Sequence, residues 1–129
     1  MNREAPRDGG AEPVRLGALE AQVMDLLWRG DPLTVRRIIE RLPSEPAYTT
    51  IATVLSHLRR KGLVCAGKEG HRTLYGACVS REEHTARIME RALDDSGDRA
   101  ASILRFVDGM AEDDLRLLRQ HLLGSHDER

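Results

Sequence analysis

A mainly α-helical fold carrying one small β-hairpin is what the sequence predicts, on three observations. Apolar residues recur at helical spacing in three successive segments before residue 62, two short runs of strand type flank a Gly-bearing turn at 63–76, and helical spacing returns from residue 80 onward. The 129 residues, 40% of them hydrophobic, suffice for one compact domain with an appendage and are too few for multi-domain machinery. With one Trp, two Tyr and one Phe, the core must be built from Leu, Val, Ile and Met, and an aromatic platform for single-stranded nucleic acid is disfavoured.

No apolar run approaches the roughly 18–20 residues that a membrane span needs, and the first residues lack the apolar stretch of a signal peptide. A cytoplasmic protein without membrane insertion is expected. Cys65 and Cys78 show neither a CxxC nor a Cys/His ligand spacing, so they read as structural, buried free thiols and not as a metal cage or a disulfide framework.

Residues 1–13 carry Pro and Gly among charges with nothing periodic to bury, and are expected to form a disordered arm. The first helix is predicted from about Gly17 to Trp28, where Leu19, Val23, Leu26 and Leu27 form one stripe, and Gly30-Asp31-Pro32 stops it. Thr34 caps a shorter helix with Val35, Ile38, Ile39 and Leu42 inward, and Pro43-Ser44-Glu45-Pro46 turns the chain. A third helix spans about Tyr48 to Lys61 with Ile51, Val54, Leu55 and Leu58 buried, and Gly62 ends it. Leu63 to Gly67 and Arg72 to Gly76 then pair around Lys68-Glu69-Gly70-His71. Helix, helix, turn, helix and basic hairpin, in that order, make a winged helix-turn-helix domain over 14–79.

Beyond the hairpin, Ser80-Arg81-Glu82-Glu83 is a capping box opening a fourth helix that ends near Ser96-Gly97. A fifth helix runs to Gly109, and a sixth starts at Glu112-Asp113-Asp114 and stops at Gly124, leaving 125–129 as a disordered tail. Three short amphipathic helices within 80–124 cannot all bury a stripe on themselves, so a partner surface is implied, most simply a second copy. The pairing face of this helical dimerisation segment is predicted at Ile88, Ile103, Phe106, Val107, Met110, Leu115, Leu118 and Leu122.

The third helix is the candidate for double-stranded DNA. Once its apolar stripe is inward, 100° per residue gathers Thr49, Thr53, Ser56 and Arg60 on the opposite side. Small hydroxylated side chains let a helix lie deep in a major groove about 12 Å wide, where they reach phosphates, base edges and thymine methyl groups. The β-branched run Thr49, Thr50, Ile51, Thr53 and Val54 is poor helix chemistry, a local conflict expected where function has priority. The net charge of -1 argues against nucleic acid only until it is located: residues 1–82 are net positive and 83–129 net negative. Around the predicted helix end and wing lie Arg59, Arg60, Lys61, Lys68, His71 and Arg72. Tyr48 and Tyr75 are the flanking aromatics; Tyr75, within a strand, is assigned to the core.

Two stretches then become recognisable, Leu16-Gly17-Ala18-Leu19-Glu20 through Leu26-Leu27-Trp28 and Ala47-Tyr48-Thr49-Thr50-Ile51 through Arg60-Lys61-Gly62-Leu63-Val64. Together with Arg72-Thr73-Leu74-Tyr75 and Ser102-Ile103-Leu104-Arg105-Phe106-Val107, they resemble the penicillinase-repressor (BlaI/MecI/CopY) family over about residues 15–123. The resemblance implies a homodimeric repressor on a dyad operator, controlling genes such as those for β-lactam resistance and joined through its C-terminal helices. It also implies DNA contacts at Thr49, Thr50, Thr53 and His57 and at wing residues near Lys68 and Arg72. Thr49 and His57 stand where relatives place a cation, so the operator sequence does not transfer. In relatives answering β-lactams, a membrane sensor protease triggers cleavage at an Asn-Phe bond that aligns with Arg105-Phe106; here Arg105 replaces the Asn. Copper-responsive relatives carry four C-terminal cysteines, which this tail lacks.

No catalytic constellation is legible. His57, His71, His84, His121 and His126 are scattered without ligand spacing, Asp94-Asp95 and Asp113-Asp114 sit at helix ends, and no cofactor is called for. The rival to a DNA-binding repressor is a winged-helix interaction module that has lost DNA binding. Salt sensitivity of a DNA complex separates the two.

Overall fold

Three helices bury their apolar stripes against one another first, and the hairpin is built onto them. The computed structural model describes residues 16–127; the predicted arm at 1–13 and residues 128 and 129 lie outside that range. The elements are α1 (Ala18–Arg29), α2 (Val35–Arg41), α3 (Tyr48–Arg60), β1 (Val64–Glu69), β2 (Arg72–Ala77), α4 (Arg81–Asp95), α5 (Arg99–Asp108) and α6 (Glu112–Asp127). They form two units, one ending at Met89 and the other beginning at Glu90, so the division falls inside α4.

In the first unit the core consists of Val23, Met24 and Leu27 of α1, Leu33, Val35, Ile38 and Leu42 around α2, Ile51, Val54, Leu55 and Leu58 of α3, and Leu63 and Val64. Each fully buried aliphatic side chain contributes about 1.5–3 kcal/mol, so the stripe on α3 alone holds its rotation firmly. The caps are local. The Gly17 N–H donates to Glu20 Oε1 at 3.0 Å, and Thr34 Oγ1 accepts from the Arg37 N–H at 3.2 Å. At the end of α3, Leu63 N–H donates to Leu58 O and Gly62 N–H to Arg59 O, both at 3.0 Å. Gly62 takes φ 80°, so this is a Schellman ending that turns the chain into β1.

Strands β1 and β2 pair antiparallel, from Val64 opposite Ala77 to Glu69 opposite Arg72. Gly70 and His71 make the turn, with Gly70 at φ 66°, a left-handed value that tight hairpins assign to Gly. Leu33 extends the pairing by exchanging two hydrogen bonds with Tyr75, at 2.9 and 2.8 Å, which fastens β2 beside the start of α2.

The cysteines require a correction. Cys65 and Cys78 are joined in a disulfide with Cα atoms 5.5 Å apart, and both are exposed rather than buried. The hairpin register is the cause. Cys65 lies opposite Gly76, and Cys78, whose N–H donates to Leu63 O at 2.9 Å, follows the last paired residue. Two positions separated by 13 in sequence thereby come within disulfide reach, which motif spacing does not reveal.

The beginning of α4 is anchored on Trp28. Ser80 Oγ accepts from the Glu83 N–H at 2.9 Å, and the indole N–H of Trp28 donates to Val79 O at 2.8 Å. The Arg81 guanidinium lies 4.6 Å from the Trp28 ring centroid and pairs with Asp25 at 3.0 Å. His84, 7% exposed, packs on the same ring at 5.6 Å. Burial, then the charges of Arg87 and Lys61, pushes its imidazole below the usual range and so toward the neutral form.

In the second unit, Asp98 caps α5 by accepting from the Ala101 N–H at 3.0 Å. Arg99 bridges Glu90 and Asp94 at 2.6 and 2.8 Å and ties α5 back to the end of α4. The predicted stop at Gly124 does not occur: α6 continues to Asp127. Gly124 keeps an ordinary helical direction, since the left-handed glycines among the described residues are Gly62 and Gly70.

A charged tie joins α1 to α3. Glu20 Oε1 accepts from Lys61 Nζ at 3.0 Å, and the two side chains are only 13% and 12% exposed. His57 Nδ1 lies 4.0 Å from Glu20 Oε2. Burial by itself would raise the Glu20 carboxyl, but the Gly17 N–H, the Lys61 hydrogen bond and charge, and the charge of His57 together hold it below the ordinary glutamate value. A depressed carboxyl contributes stability that is full above the unfolded value and is lost as pH falls through the folded one. Glu20→Gln is therefore expected to be less stable than the parent at neutral pH. In urea melts followed by Trp28 fluorescence, the gap should close as pH drops below about 4.5. A gap that stays constant or widens in acid would show that the tie has been misjudged.

Candidate DNA-binding face

The packing that buries one side of α3 leaves Tyr48, Thr49, Thr50, Thr53, Ser56, His57 and Arg60 exposed. Thr49, Thr53, Ser56 and Arg60 fall along one edge of the helix, with Thr50 and His57 beside it. Alanine at position 52 also lies on this side and keeps it slim. Tyr48, 58% exposed, stands at the N-terminal end as an aromatic side chain and takes no part in the core. Tyr75, by contrast, packs partly buried against the core, as its strand position predicts.

The cations of the predicted face divide into two groups. Lys61 is turned inward onto Glu20, so its ammonium serves the α1–α3 tie. Arg59, Arg60 and Lys68 are exposed, and among the described residues no carboxylate pairs with them. His57 belongs to neither group: it is exposed, yet one ring nitrogen lies 4.0 Å from Glu20. At the wing tip Lys68, His71 and Arg72 are all exposed. Arg72 donates to Glu69 Oε1 at 2.9 Å across the turn, which partly offsets its charge.

The sequence reading did not include Arg37 and Arg41. Together with Asp31, Thr34, Glu69, Arg72 and Leu74 they line an open groove of about 680 Å³ between α2 and β2, where Arg37 also lies 3.9 Å from Glu40 Oε1. The available signal was the 3.6-residue period itself: a helix whose Val35, Ile38 and Leu42 turn inward must present Arg37 and Arg41 outward. A groove with three guanidinium groups and two carboxylates suits the phosphate backbone of nucleic acid better than an apolar ligand. Among the described residues no cluster of three or more His, Cys, Asp or Glu could hold a metal ion, and no described helix is long and apolar enough to cross a membrane.

The predicted pairing residues lie in the C-terminal helices, except Met110, which falls between α5 and α6. Ile103, Phe106, Leu118 and Leu122 are exposed, while Ile88, Val107, Met110 and Leu115 are partly covered. Leu104, Leu117 and Leu123, absent from the prediction, are also exposed, at 63–66%. Arg105 and Phe106 are exposed on α5 one turn before its end.

Comparison with known proteins shows which family has this chain's sequence and fold. The penicillinase repressor family model matches residues 16–123. The transcriptional regulator BlaI of Mycobacterium tuberculosis, in strains CDC 1551 and H37Rv, is 40% identical over 118 residues, covering 87% of this chain and 86% of that protein. An ArsR-like transcriptional regulator from Rhodococcus sp. RHA1 superposes with a TM-score of 0.51 at 26% identity, over 73% of this chain and 86% of that one. The solution structure of the DNA-binding domain of the repressor BlaI matches at 25% identity with a TM-score of 0.48, covering 54% of this chain and 87% of that one. A family model spanning nearly all the described residues, with a relative matched along most of both chains, makes this chain a member of the penicillinase repressor family.

Proposed function

We propose that this chain is a transcriptional repressor that binds a dyad operator as a homodimer, each copy laying α3 in the major groove with its wing beside the phosphate backbone. The observation that carries this reading is the exposed hydroxyl edge of α3, Thr49, Thr53 and Ser56 ending at Arg60, opposite a fully buried stripe. A helix edged with Thr and Ser approaches base edges closely enough for direct readout, and Arg60 at its C-terminal end reaches backbone oxygens. Arg59, Lys68, His71 and Arg72 add phosphate contacts, and Arg37 with Arg41 extends them along the groove beside β2. The family is one of regulators, in keeping with a site built for recognition and not for bond making.

The homodimer is supported by the second unit. Helix α5 has no buried residue, and Phe106, Leu117 and Leu122 are each about three-fifths exposed or more. Leaving so many large apolar side chains in water is unfavourable, and a second copy presenting the same face covers them symmetrically. With two copies, half-sites about one helical turn apart, or a small multiple of that, follow. Release by proteolysis at Arg105–Phe106, driven by a membrane sensor protease, is the finer part of the proposal. Because Gly109 N–H donates to both Arg105 O and Phe106 O, the last turn of α5 must open before that bond can be cut.

Gel shifts on the promoter of its own gene test the DNA reading. Binding is expected to fall steeply with salt as counterions are released. Arg60→Ala should weaken all sequences alike, whereas Thr53→Ala should redistribute preference among bases by about 1–3 kcal/mol. A complex indifferent to salt and sequence would leave a docking module as the better account.

For the pairing face, Phe106→Asp and Leu118→Asp are expected to halve the mass seen by sedimentation equilibrium and to weaken operator binding sharply, with unchanged helix content by circular dichroism. If both variants keep the parent's dimeric mass, the second unit does not join the copies.

A further inference from the structure

We infer that the Cys65–Cys78 pair is a reversible redox site at the base of the wing, its substrate a low-molecular-weight disulfide or thiol, and that its oxidised state tightens DNA binding. The effect on DNA rests on the operator-binding reading above; the thiol chemistry does not. Both residues are exposed, so a small thiol or disulfide can reach either sulfur. Their Cα atoms are held 5.5 Å apart by the antiparallel ladder, with the Cys78 N–H donating to Leu63 O. That spacing comes from the fold, so it survives reduction and lets the bond re-form without rearrangement. A protein that works on DNA sits in a compartment kept reducing, where an exposed disulfide is transient and reports redox state.

The exchange balances. A thiolate of one cysteine attacks the small disulfide, expelling one small thiolate and leaving a mixed disulfide on the protein. The other cysteine's thiolate attacks the protein-side sulfur and expels the second. Two electrons pass from the protein thiols to the small disulfide, and the two protons end on the released thiols. The reverse exchange with two small thiols restores Cys65 and Cys78.

The consequence falls on the wing because of where the bond lies. β1 and β2 are tied at one end by the Gly70-His71 turn, and the disulfide closes the other end. A two-stranded hairpin is marginal in water; here Val64 at the base of β1 is buried in the core and Tyr75 of β2 is bridged by Leu33, while residues 67–72 around the turn are exposed. Opening the bond leaves that base packed but removes the covalent link between the strands, so the exposed wing around Lys68, His71 and Arg72 frays more often and must be ordered at the moment of binding, which lowers affinity.

The test uses the full chain equilibrated in buffers of oxidised and reduced glutathione, with alkylation and mass measurement to count free thiols. One reversible two-electron transition is expected. In amide hydrogen exchange without DNA, 64–77 should exchange faster in the reduced protein, and the Cys65→Ser/Cys78→Ser variant should match the reduced form in either buffer. On the promoter fragment, the oxidised parent should bind about three- to tenfold more tightly than the reduced parent or the variant. No disulfide at any glutathione ratio, or identical hairpin exchange in both states, overturns the inference. Equal DNA affinity of the two states, when both bind, overturns the tightening. If exchange responds but neither state binds DNA, the operator reading fails and, with it, the claimed effect on DNA, while the redox site itself stands.

Discussion

Burial of Ile51, Val54, Leu55 and Leu58 is the constraint on which the rest of the first unit depends. These four side chains are 9% exposed or less, and together they permit α3 only one rotation about its axis. That rotation turns Thr49, Thr53 and Ser56 outward, and it sets the direction in which Gly62 releases the chain into β1. The wing is thus placed by the same packing that presents the hydroxyl edge. The Glu20–Lys61 tie acts on this geometry from the side, fixing the C-terminal turn of α3 to the first turn of α1.

Most of the fold was legible because its signals are local. The stripes of α1, α2 and α3, the Thr34 and Ser80 caps, the Gly62 ending and the Gly70 turn each depend on residues within a few positions of one another. What was not legible depends on distance in the chain. The bridge between Leu33 and Tyr75 joins residues 42 apart in sequence, and the disulfide arises only when the hairpin register is fixed. The inward turn of Lys61 belongs to the same class. Its three-cation run reads as a solvated helix end, and only the position of Glu20, 41 residues earlier, shows that one of the three is used inside the fold. The end of α6 is hidden for another reason: Gly124 reads as a stop, but a glycine near a helix terminus ends it only if the backbone turns left-handed there.

The candidate face was legible to a similar degree. Periodicity alone places Thr49, Thr53, Ser56 and Arg60 together, since the exposed side follows once the buried side is known. Arg37 and Arg41 are less visible because the apolar positions dominate the pattern of α2, and the groove they line exists only once β2 lies beside that helix. The apolar stripe of α5 and α6 was readable in the same way, although the sequence could not show how little of it the chain covers by itself; Leu104, Leu117 and Leu123 emerge only from their exposure.

Net charge is a poor guide to this protein because several of its carboxylates are engaged by cations of the same chain. Glu20, Asp25 and Glu69 of the first unit each hold a cation of their own chain, and Glu90, Asp94 and Asp113 do the same in the second. Arg59, Arg60 and Lys68, next to the hydroxyl edge and at the wing, have no such partner among the described residues. An overall charge of -1 is therefore compatible with a cationic face, since potential at a surface is set by the charges that remain unpaired there. The cations left unpaired lie next to the hydroxyl edge of α3 and on the wing, so the surface slim enough to approach base edges also carries the charge that attracts phosphates.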